Sequence, residues 1–283
     1  MVGEPANFQA WDTDLILATL PRSGTLWLKS LSFATINRTR YPTSSKEHPL
    51  LTTSPHDLVP FLEFKHLYGS NSFPDFTKFQ SPRVLAVHVP YHSLAESIKN
   101  TPNCKIVYLC RNPKDNFISI WQFQNRLKAA KNVNDPEPLP IEEALDLFCH
   151  GVSLYGPFWD HLLGYWKESL EKPEKVLFLK YEDMMKDPKP HLKRLAEFSG
   201  YPFSLEEENE GVLDEILGLS SFDLLKNLDV NKDGITGFNV QNKIFFRKGE
   251  VGDWKNHLTP LMAERVDRLI EEKLHGSGLV FSN

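Results

Sequence analysis

Four short apolar runs, separated by stretches long enough to form helices, constrain the fold of this chain more than any other feature. The runs are LILATL (15–20), VLAV (84–87), KIVYLC (105–110) and KVLFLK (175–180). Each has the length of a strand that is buried on both faces. Strands that alternate with helices are typical of βαβ units around a parallel sheet. The sequence therefore predicts an α/β fold, in which residues 1–283 form a single domain with a central, mostly parallel β-sheet flanked by helices.

Helices are expected between and after these strands. They are predicted at 26–36, 57–68 (capped by Asp57), 113–126, 141–169 (with a break near Gly156 and Pro157), 188–199 and 259–274. The segments 39–55 and 129–140 are expected to be loops because proline and polar residues are frequent in them. Ligands of parallel sheets bind at the carboxyl ends of the strands, so the residues just after each strand are the first candidates for a site.

Charge and cysteine content narrow the functional classes. The 283 residues include 32 Lys and Arg against 37 Asp and Glu, so no basic surface for bulk nucleic-acid binding is expected. No apolar run approaches the roughly 18 residues of a membrane span, and the acidic N-terminal stretch lacks the apolar segment of a secretory signal. The cysteines (Cys104, Cys110 and Cys149) are too far apart for a CxxC motif. We therefore expect a cytoplasmic protein with reduced thiols and with no nucleic-acid or membrane partner.

The first candidate site is the loop Pro21-Arg22-Ser23-Gly24-Thr25, between the first strand and a helix. Small residues let a ligand approach the backbone, the helix N-terminus offers N–H groups to a phosphate, and Arg22 adds a fixed positive charge. The Walker A pattern GxxxxGK[ST] is absent, which disfavours an ordinary ATPase or nucleotide kinase. On these residues alone, a capped helix start explains the loop as well as phosphate binding does.

Two further basic groups follow later in the chain. Arg111 ends the third strand where a helix begins, and Ser119 lies in that helix. A surface ion pair of Arg111 with Asp115 is an equally simple explanation for this arginine. The third group, in a glycine-containing loop, is Arg247, Lys248 and Gly249. Alone it is typical of a solvated charged turn, but the three groups together predict a ligand with phosphates at two places.

Three strings in this order, PRSGTLW, CRNPKDNFIS and RKGEVGDWKNHLT, resemble the motifs of the cytosolic sulfotransferase family, especially of its plant members. The family strings are close to PKSGTTW, CRNPKDxxxS and RKGxxGDWK. The resemblance runs from the first strand to the C-terminal helix. It implies an α/β fold with a P-loop-like phosphate loop, and 3′-phosphoadenosine 5′-phosphosulfate (PAPS) as co-substrate, without a metal ion. PAPS carries phosphates at two places, which agrees with the basic groups.

The resemblance also implies roles for individual residues. The phosphate loop, expected to hold the 5′-phosphosulfate, is Arg22, Ser23, Gly24 and Thr25, followed by Leu26. The residues expected to hold the 3′-phosphate are Arg111, Ser119, Arg247, Lys248 and Gly249. Those expected around the adenine are Trp27, Tyr181, Ser220 and Phe222.

His88 is expected to be the catalytic base. It follows the second strand in the string VHVP, where the family carries a His in a string like THLP. An imidazole titrates near neutrality without large tuning of its pKa, so it suits removal of a proton from a hydroxyl. Arg22 would stabilise the departing bisphosphate. The other nine histidines, including His92, are expected at the surface.

The sequence departs from the family pattern at three points. Arg22 stands in place of the usual Lys, so it stays charged and is a poor proton donor. Leu26 stands in place of a Thr whose hydroxyl can donate to phosphate. Fourteen residues precede the first strand, where the family usually has several tens, so a more open acceptor pocket is expected. These departures leave a second hypothesis, a member of the family that binds nucleotide or metabolite without efficient turnover.

The acceptor is expected to be a small hydroxylated metabolite, for example flavonoid-like or steroid-like. Aromatic residues that could line its pocket, although core packing explains them equally well, are Phe61, Phe64, Tyr68, Tyr91, Phe123, Phe148, Tyr155 and Phe158. The segment from Asp229 imitates half of an EF-hand, but Val240 stands where a Glu is needed, so calcium binding is not expected. Near the C-terminus, Pro260 interrupts a resemblance to the family's dimerisation segment, so a monomer or weak homodimer is expected.

Overall fold

The computed structural model describes residues 8–63, 75–130, 137–237 and 239–281. The strands within these ranges are β1 (Leu15–Thr19), β2 (Val84–Val87), β3 (Lys105–Cys110) and β4 (Val176–Lys180). The α-helices are α1 (Thr25–Ile36), α2 (Pro55–Leu58), α3 (Glu96–Asn100), α4 (Pro113–Ala130), α5 (Ile141–Cys149), α6 (Phe158–Glu171), α7 (Tyr181–Lys186), α8 (Pro188–Ser199), α9 (Leu205–Asn209), α10 (Val212–Leu219), α11 (Phe222–Asn227), α12 (Asp229–Lys232) and α13 (Pro260–Leu274). Short 3₁₀ turns lie at Pro49–Leu51, Phe76–Lys78, Tyr91–Ser93, Asn242–Phe245 and Asp253–Asn256.

The four strands form one parallel sheet in the order β2-β1-β3-β4. Successive side chains of a strand point to opposite faces of the sheet, so each strand contributes side chains to two apolar cores. Ile16 and Ala18 join the core that includes residues of α6 and α13, whereas Leu15 and Leu17 join the core that includes residues of α1, α8 and α10. Both faces are buried, which is why these strands read as continuous apolar runs. The predicted α/β fold with a parallel sheet is confirmed.

The strand order places a switch point beside β1. The chain passes from β1 to β2 on one side and then crosses to β3 on the other side. The connections that leave β1 and β3 therefore diverge, and in open α/β sheets a crevice forms between such connections at the carboxyl ends of the strands. The loops after β1 and β3 carry Arg22 and Arg111.

The helix predicted at 57–68 is wrong over the part that the structure describes. The helix there is α2, which is capped by the side chain of Ser54 instead of Asp57 and ends at Leu58. Pro60 disfavours a helical conformation for the residue before it. The chain then runs beside β2, where Ala86 N donates to Pro60 O and Leu62 N donates to Ala86 O. Residues 64–68 lie outside the described residues.

Other predicted elements agree closely with the structure. The break near Gly156 and Pro157 separates α5 from α6, and Thr259 caps α13 through its side chain. The EF-hand imitation contains the short helix α12. Among the described residues there is no cluster of side chains that could hold a metal ion and no helix long and apolar enough to cross a membrane.

A buried ion pair connects the starts of β1 and β2. The Arg83 guanidinium donates from Nε to Asp14 Oδ1 at 2.7 Å and from a terminal nitrogen to Asp14 Oδ2. Both side chains are almost fully buried. Asp14 Oδ2 also accepts from Trp11 N at 2.8 Å, and the Trp11 ring lies 3.7 Å from the guanidinium carbon. The pair therefore holds the N-terminal segment against the sheet.

Asp14→Asn is expected to lower the free energy of unfolding by about 3–5 kcal/mol, because it leaves a buried guanidinium without its counter-charge. Urea unfolding followed by tryptophan fluorescence measures the change. The matched control is Glu96→Gln, which breaks an ion pair with Lys99 in which the Glu96 side chain is 75% exposed. That variant should change stability far less. An equal loss in the two variants would contradict the role of the buried pair.

Candidate active site

A cavity of about 800 Å³ lies at the carboxyl edge of the sheet, and residues that follow all four strands line it. Arg22 and Gly24 follow β1, His88 follows β2, Arg111 follows β3 and Tyr181 follows β4. Thirteen of the predicted site residues line this cavity, namely Arg22, Gly24, Thr25, Leu26, Trp27, His88, Arg111, Ser119, Tyr181, Ser220, Phe222, Arg247 and Gly249. Segments that are far apart in the sequence therefore meet at one place.

The loop after β1 has an unusual backbone. Arg22 has a φ of 69°, and Gly24, the N-cap of α1, has a φ of 100°. A Cβ on Gly24 would lie 2.7 Å from Cδ2 of Tyr181 and 3.1 Å from Cδ2 of Leu109. A side chain at this position would therefore meet both strain and a clash. Gly24 and Thr25 line the cavity at the N-terminus of α1, and a helix N-terminus suits an anion.

Two predicted site residues do not line the cavity. Ser23 is fully buried, and its hydroxyl accepts from Asn116 Nδ2 at 3.0 Å. Asn116 also donates to Pro21 O at 2.9 Å, so it holds the loop in shape from behind. Lys248 is 43% exposed and donates to Asp253 Oδ1 at 2.5 Å. Ser23 therefore supports the loop after β1 from behind, and Lys248 lies outside the cavity lining, where it pairs with Asp253.

Positive charge accumulates at this edge of the sheet. Arg22 donates from Nε to Ser119 Oγ at 3.2 Å and from a terminal nitrogen to Phe245 O at 3.1 Å. Burial, with the charges of Arg111 and Arg247, lowers the pKa of Arg22 to about 9, which leaves it charged at neutral pH. Because its hydrogen-bond partners in the described residues are a hydroxyl and a carbonyl, its charge is not neutralised by them.

Arg111 does not form the surface ion pair with Asp115 that was one explanation for it. It is 6% exposed, donates to Arg22 O and Glu250 O, and places its guanidinium 4.8 Å from the centroid of the Tyr181 ring. Its buried Nε has no hydrogen-bond partner among the described residues. An unpaired buried guanidinium donor is costly, and an anionic ligand in the cavity would supply the missing acceptor.

Asp115 instead binds the backbone of residues 252 and 254, in the loop that also carries Arg247, Lys248 and Gly249, hereafter the distal loop. Its Oδ2 accepts from Gly252 N at 2.6 Å and its Oδ1 accepts from Trp254 N at 3.0 Å. In the same loop, Asp253 accepts from Arg247, Lys248, Asn256 and His257. Burial opposes its negative charge, but the hydrogen bonds from Lys248, Asn256 and Arg247 hold the pKa of Asp253 well below its usual value. Arg247 is thereby fixed at the wall of the cavity.

Aromatic rings and one hydroxyl form the wall beside the distal loop. The rings of Trp27 and Tyr181 meet edge to face at 5.7 Å, and Tyr181 donates from its hydroxyl to Gly249 O at 3.2 Å. A Cβ on Gly249 would lie 2.7 Å from the Phe222 ring, so this glycine allows close packing. The buried Ser220 Oγ has no partner among the described residues. This wall can hold a flat aromatic group that carries polar atoms.

His88 is held by its backbone and by one ring nitrogen. Its Nδ1 lies 2.8 Å from Thr19 O and 3.2 Å from Thr19 Oγ1. Since a carbonyl oxygen only accepts, we assign the ring proton to Nδ1, and Nε2 then carries the lone pair. Its backbone N–H donates to Glu63 Oε1, and its carbonyl lies 2.9 Å from His161 Nε2. The imidazole therefore has the tautomer that a proton acceptor at Nε2 requires.

The sequence predicted that His88 titrates near neutrality, but in the structure its pKa is far lower. Burial lowers the pKa of His88 to about 3, the charges of Lys29 and His161 lower it further, and the bond to Thr19 O partly offsets them. The imidazole is therefore neutral throughout the physiological range. Burial also raises the pKa of the neighbouring Glu63 to about 7, while bonds from backbone N–H groups and the charge of Lys29 oppose this.

The expectation that the other nine histidines lie at the surface is wrong for three of the eight that the structure describes, and His66 lies outside the described residues. His48, His56 and His161 are buried. His56 also lines the cavity, and its Nδ1 lies 3.1 Å from Nζ of the fully buried Lys29. Neither His56 nor Lys29 belongs to a motif quoted for the site, and their burial depends on contacts with distant segments such as Phe245. The sequence offered no local signal for this pair.

The aromatic residues expected around an acceptor divide between the cavity and the core. Those that line the cavity are Phe61, Phe123 and Tyr155. Phe148 and Phe158 are core residues, Tyr91 packs at the edge of that core, and Phe64 and Tyr68 lie outside the described residues. Tyr155 has a φ of 59°, which is strained for a bulky residue, and its ring lies 5.7 Å from that of His88. Aromatic rings therefore line the part of the cavity that surrounds His88.

Comparison with known proteins gives a consistent result. The family model described as Sulfotransferase domain matches residues 12–278. Cytosolic sulfotransferase 15 of Arabidopsis thaliana is 50% identical over 277 residues, which cover 97% of this chain and 76% of that protein. Cytosolic sulfotransferase 1 of the same organism is 50% identical over 279 residues, which cover 97% of this chain and 82% of that protein.

Two solved structures are similar over nearly the whole chain. The structure of a putative steroid sulphotransferase of Arabidopsis thaliana has a TM-score of 0.75 and 44% identity, and the match covers 98% of this chain and 81% of that one. A mouse sulfotransferase complexed with PAP has a TM-score of 0.72 and 26% identity, and the match covers 98% of this chain and 88% of that one.

Gly24→Ala is expected to destabilise the protein more than Gly200→Ala. Both glycines have positive φ, so each substitution adds backbone strain of about 1–2 kcal/mol. A Cβ at Gly200 meets nothing within 4 Å, whereas a Cβ at Gly24 clashes with the Tyr181 ring. The clash should cost roughly a further 1–3 kcal/mol. Urea unfolding of the two variants measures the difference, and equal losses would contradict the close packing of Gly24 on Tyr181.

Proposed function

This chain belongs to the sulfotransferase family, and from that premise we propose that it transfers a sulfuryl group from PAPS to a hydroxyl of a small acceptor. The observation that carries the proposal is the set of Arg22, Arg111 and Arg247 around one cavity, with the buried Nε of Arg111 lacking a protein partner among the described residues. A nucleotide with phosphates at two places would provide acceptors for these donors.

The residues present fit the two ends of such a nucleotide. We assign the 5′ end to the loop of Arg22, Gly24 and Thr25, since the N-terminus of α1 offers N–H groups there. Ser23 supports this loop through Asn116. The 3′-phosphate is assigned to Arg111 and Arg247, with Ser119, Lys248 and Gly249 at the margin. The adenine is assigned to the wall of Trp27, Tyr181, Ser220 and Phe222.

Arg22 has the geometry to stabilise a leaving group. Its five N–H donors include two that bond to Ser119 and Phe245 O, and these contacts fix the plane of the guanidinium. In transfer reactions of this type, catalysis consists mostly of positioning and of stabilising charge on the leaving oxygen. Arg22 supplies positive charge for this purpose without giving up a proton. Leu26 lies in the cavity wall and donates no hydrogen bond from its side chain.

His88 is proposed to accept the proton of the attacking hydroxyl at Nε2. Its Nδ1–H bond to Thr19 O sets this tautomer, and Phe61 and Tyr155 surround the ring. The low pKa of His88 keeps the imidazole neutral and able to accept a proton at physiological pH. The negative charge of a bound phosphosulfate would favour the imidazolium and so strengthen this base. Apolar walls around His88 suit a hydroxylated aromatic or polycyclic acceptor.

Turnover by His88→Asn tests the catalytic proposal. With PAPS and 2-naphthol as probes, this variant is expected to lower kcat by about 10²–10⁴-fold, since it removes the general base. PAP is the 3′,5′-bisphosphate that PAPS leaves after sulfuryl transfer. At about 100 times its dissociation constant, PAP should still stabilise the variant, by roughly 2.7 kcal/mol, in a thermal-shift measurement. The matched control His92→Asn alters an exposed histidine and should leave both readouts unchanged.

The outcomes separate the parts of this proposal. Normal turnover by His88→Asn would overturn the assignment of the base. Absence of any stabilisation of the unaltered protein by PAP, relative to AMP, would overturn the donor assignment. Stabilisation by PAP with no sulfuryl transfer would favour the second hypothesis, a nucleotide-binding member of the family without efficient turnover. Arg22 and Leu26 are the departures that favour that hypothesis.

Other expectations remain proposals. The relatives named cytosolic support a cytoplasmic location for this chain. A monomer or weak homodimer, a single domain over 1–283, and the absence of a metal requirement and of nucleic-acid or membrane partners stay predictions from the sequence.

A further inference from the structure

Side chains hold the peptide units on both sides of the His88 Cα atom. The register between β1 and β2 ends with the pair of Ala18 and Val87, so His88 lies just beyond it. The N–H of His88 donates to Glu63 Oε1, and its carbonyl oxygen lies 2.9 Å from His161 Nε2. The orientation of these two peptide units sets the direction of the Cα–Cβ bond and the rotamers open to the side chain. They therefore determine where the imidazole lies.

His161 belongs to α6, which contacts the segment after β2 through one face. His161 and Tyr165 are four residues apart, so they lie on the same side of the helix. Both side chains are almost fully buried. The Tyr165 hydroxyl donates to Val89 O at 2.8 Å, one residue after the carbonyl that His161 contacts. Two successive carbonyls beyond β2 thus face polar groups of one helix.

The hydrogen bonds of His161 determine its tautomer. The carbonyl of His88 only accepts, so we assign a proton to Nε2 of His161. Burial lowers the pKa of His161 to about 4, although the bond to the His88 carbonyl opposes this, so the ring is neutral at physiological pH. Its Nδ1 therefore accepts, and it lies 2.9 Å from the hydroxyl oxygen of Tyr108. Burial raises the pKa of Tyr108 well above its usual value, so this hydroxyl keeps the proton that it donates.

We propose that His161 is a positioning residue for His88: its Nε2–H fixes the peptide unit that follows the base, and Tyr108 supports the tautomer that donates. This inference rests on the proposed function, in which His88 Nε2 accepts the proton of the acceptor hydroxyl. The bond to Thr19 O fixes one ring nitrogen of His88, and the bond from His161 fixes the backbone that carries the ring. Proton transfer requires hydrogen-bond distances, so a displacement of about 1 Å can lower turnover by about a hundredfold.

Two substitutions of His161 test the proposal. His161→Leu removes the donor, whereas His161→Gln keeps one, because its amide nitrogen can take the place of Nε2. With PAPS and 2-naphthol, His161→Leu is expected to lower kcat by about ten- to a hundredfold, and His161→Gln should retain most of the turnover. PAP should stabilise both variants as much as the unaltered protein, since no residue assigned to the nucleotide is altered. A fall in kcat with unchanged nucleotide binding distinguishes positioning from a general loss of structure.

Two stacked tyrosines provide a matched pair of variants. Tyr108 and Tyr165 are fully buried, their ring centroids are 4.3 Å apart, and each donates one hydrogen bond from its hydroxyl. Tyr108→Phe removes the donor to His161 and should lower kcat by about three- to tenfold. Tyr165→Phe removes the bond to Val89 O, which belongs to neither peptide unit at the His88 Cα, and should leave kcat unchanged. Combined with His161→Leu, Tyr108→Phe should have no further effect on kcat, because it acts through His161.

The nitrogen resonances of the His88 ring report its placement independently of turnover. In the unaltered protein and in His161→Gln they should show one tautomer, protonated at Nδ1, because Thr19 O accepts there. In His161→Leu the displaced ring should exchange between the two tautomers, and its two nitrogen shifts should approach each other. Comparison with the spectrum of His88→Asn assigns the signals.

An unchanged His88 spectrum in a folded His161→Leu variant would overturn the proposal, and so would an unchanged kcat. A fall in kcat for Tyr165→Phe as large as that for Tyr108→Phe would also overturn it, because the whole segment would then need support. If His161→Leu does not fold, the two tyrosine variants and His161→Gln still decide the question. Failure of the proposed function is recognised separately, by the absence of stabilisation by PAP in the unaltered protein, and the His88 spectrum then still tests the role of His161.

Discussion

The positive charge of three buried or half-buried arginines at one edge of the sheet is the constraint on which the site depends. Burial, and after it the charges of Arg111 and Arg247, lowers the pKa of Arg22 at the carboxyl edge of the sheet. Backbone carbonyls hold Arg22 and Arg111, whereas Arg247 pairs with Asp253. Carbonyl partners position a guanidinium without neutralising it. The fold therefore keeps positively charged guanidinium groups where an anion can bind, and hydrogen bonds to backbone carbonyls stabilise that arrangement.

Sheet topology explains why these distant residues meet. The order β2-β1-β3-β4 puts the loops after β1 and β3 side by side, and β2 brings His88 to the same edge. Asp115 on α4 then binds the backbone of Gly252 and Trp254, which brings the distal loop to the sheet edge. The same acidic residue that could have paired with Arg111 thus positions the loop that carries Arg247.

The sequence predicted those parts of the molecule that local patterns determine. The strands were recognisable because both of their faces are buried, and the three basic groups because each follows a strand or lies in a loop with a distinctive string. The helix at 57–68 was wrong because pairing of the chain with Ala86 replaces helical bonds after Leu58. The burial of His56 and the low pKa of His88 could not be predicted, since they depend on packing between segments that are remote in the chain.

The structure of the protein in complex with PAP would test the central claim most directly. We predict that the 5′-phosphate lies at the N–H groups of Gly24 and Thr25, and that the 3′-phosphate accepts from Arg111, with its Nε among the donors, and from Arg247. The adenine is predicted against Trp27 and Phe222. A nucleotide bound in the reverse direction, or one that leaves the Arg111 Nε unpaired, would contradict the assignment of this cavity as the PAPS site.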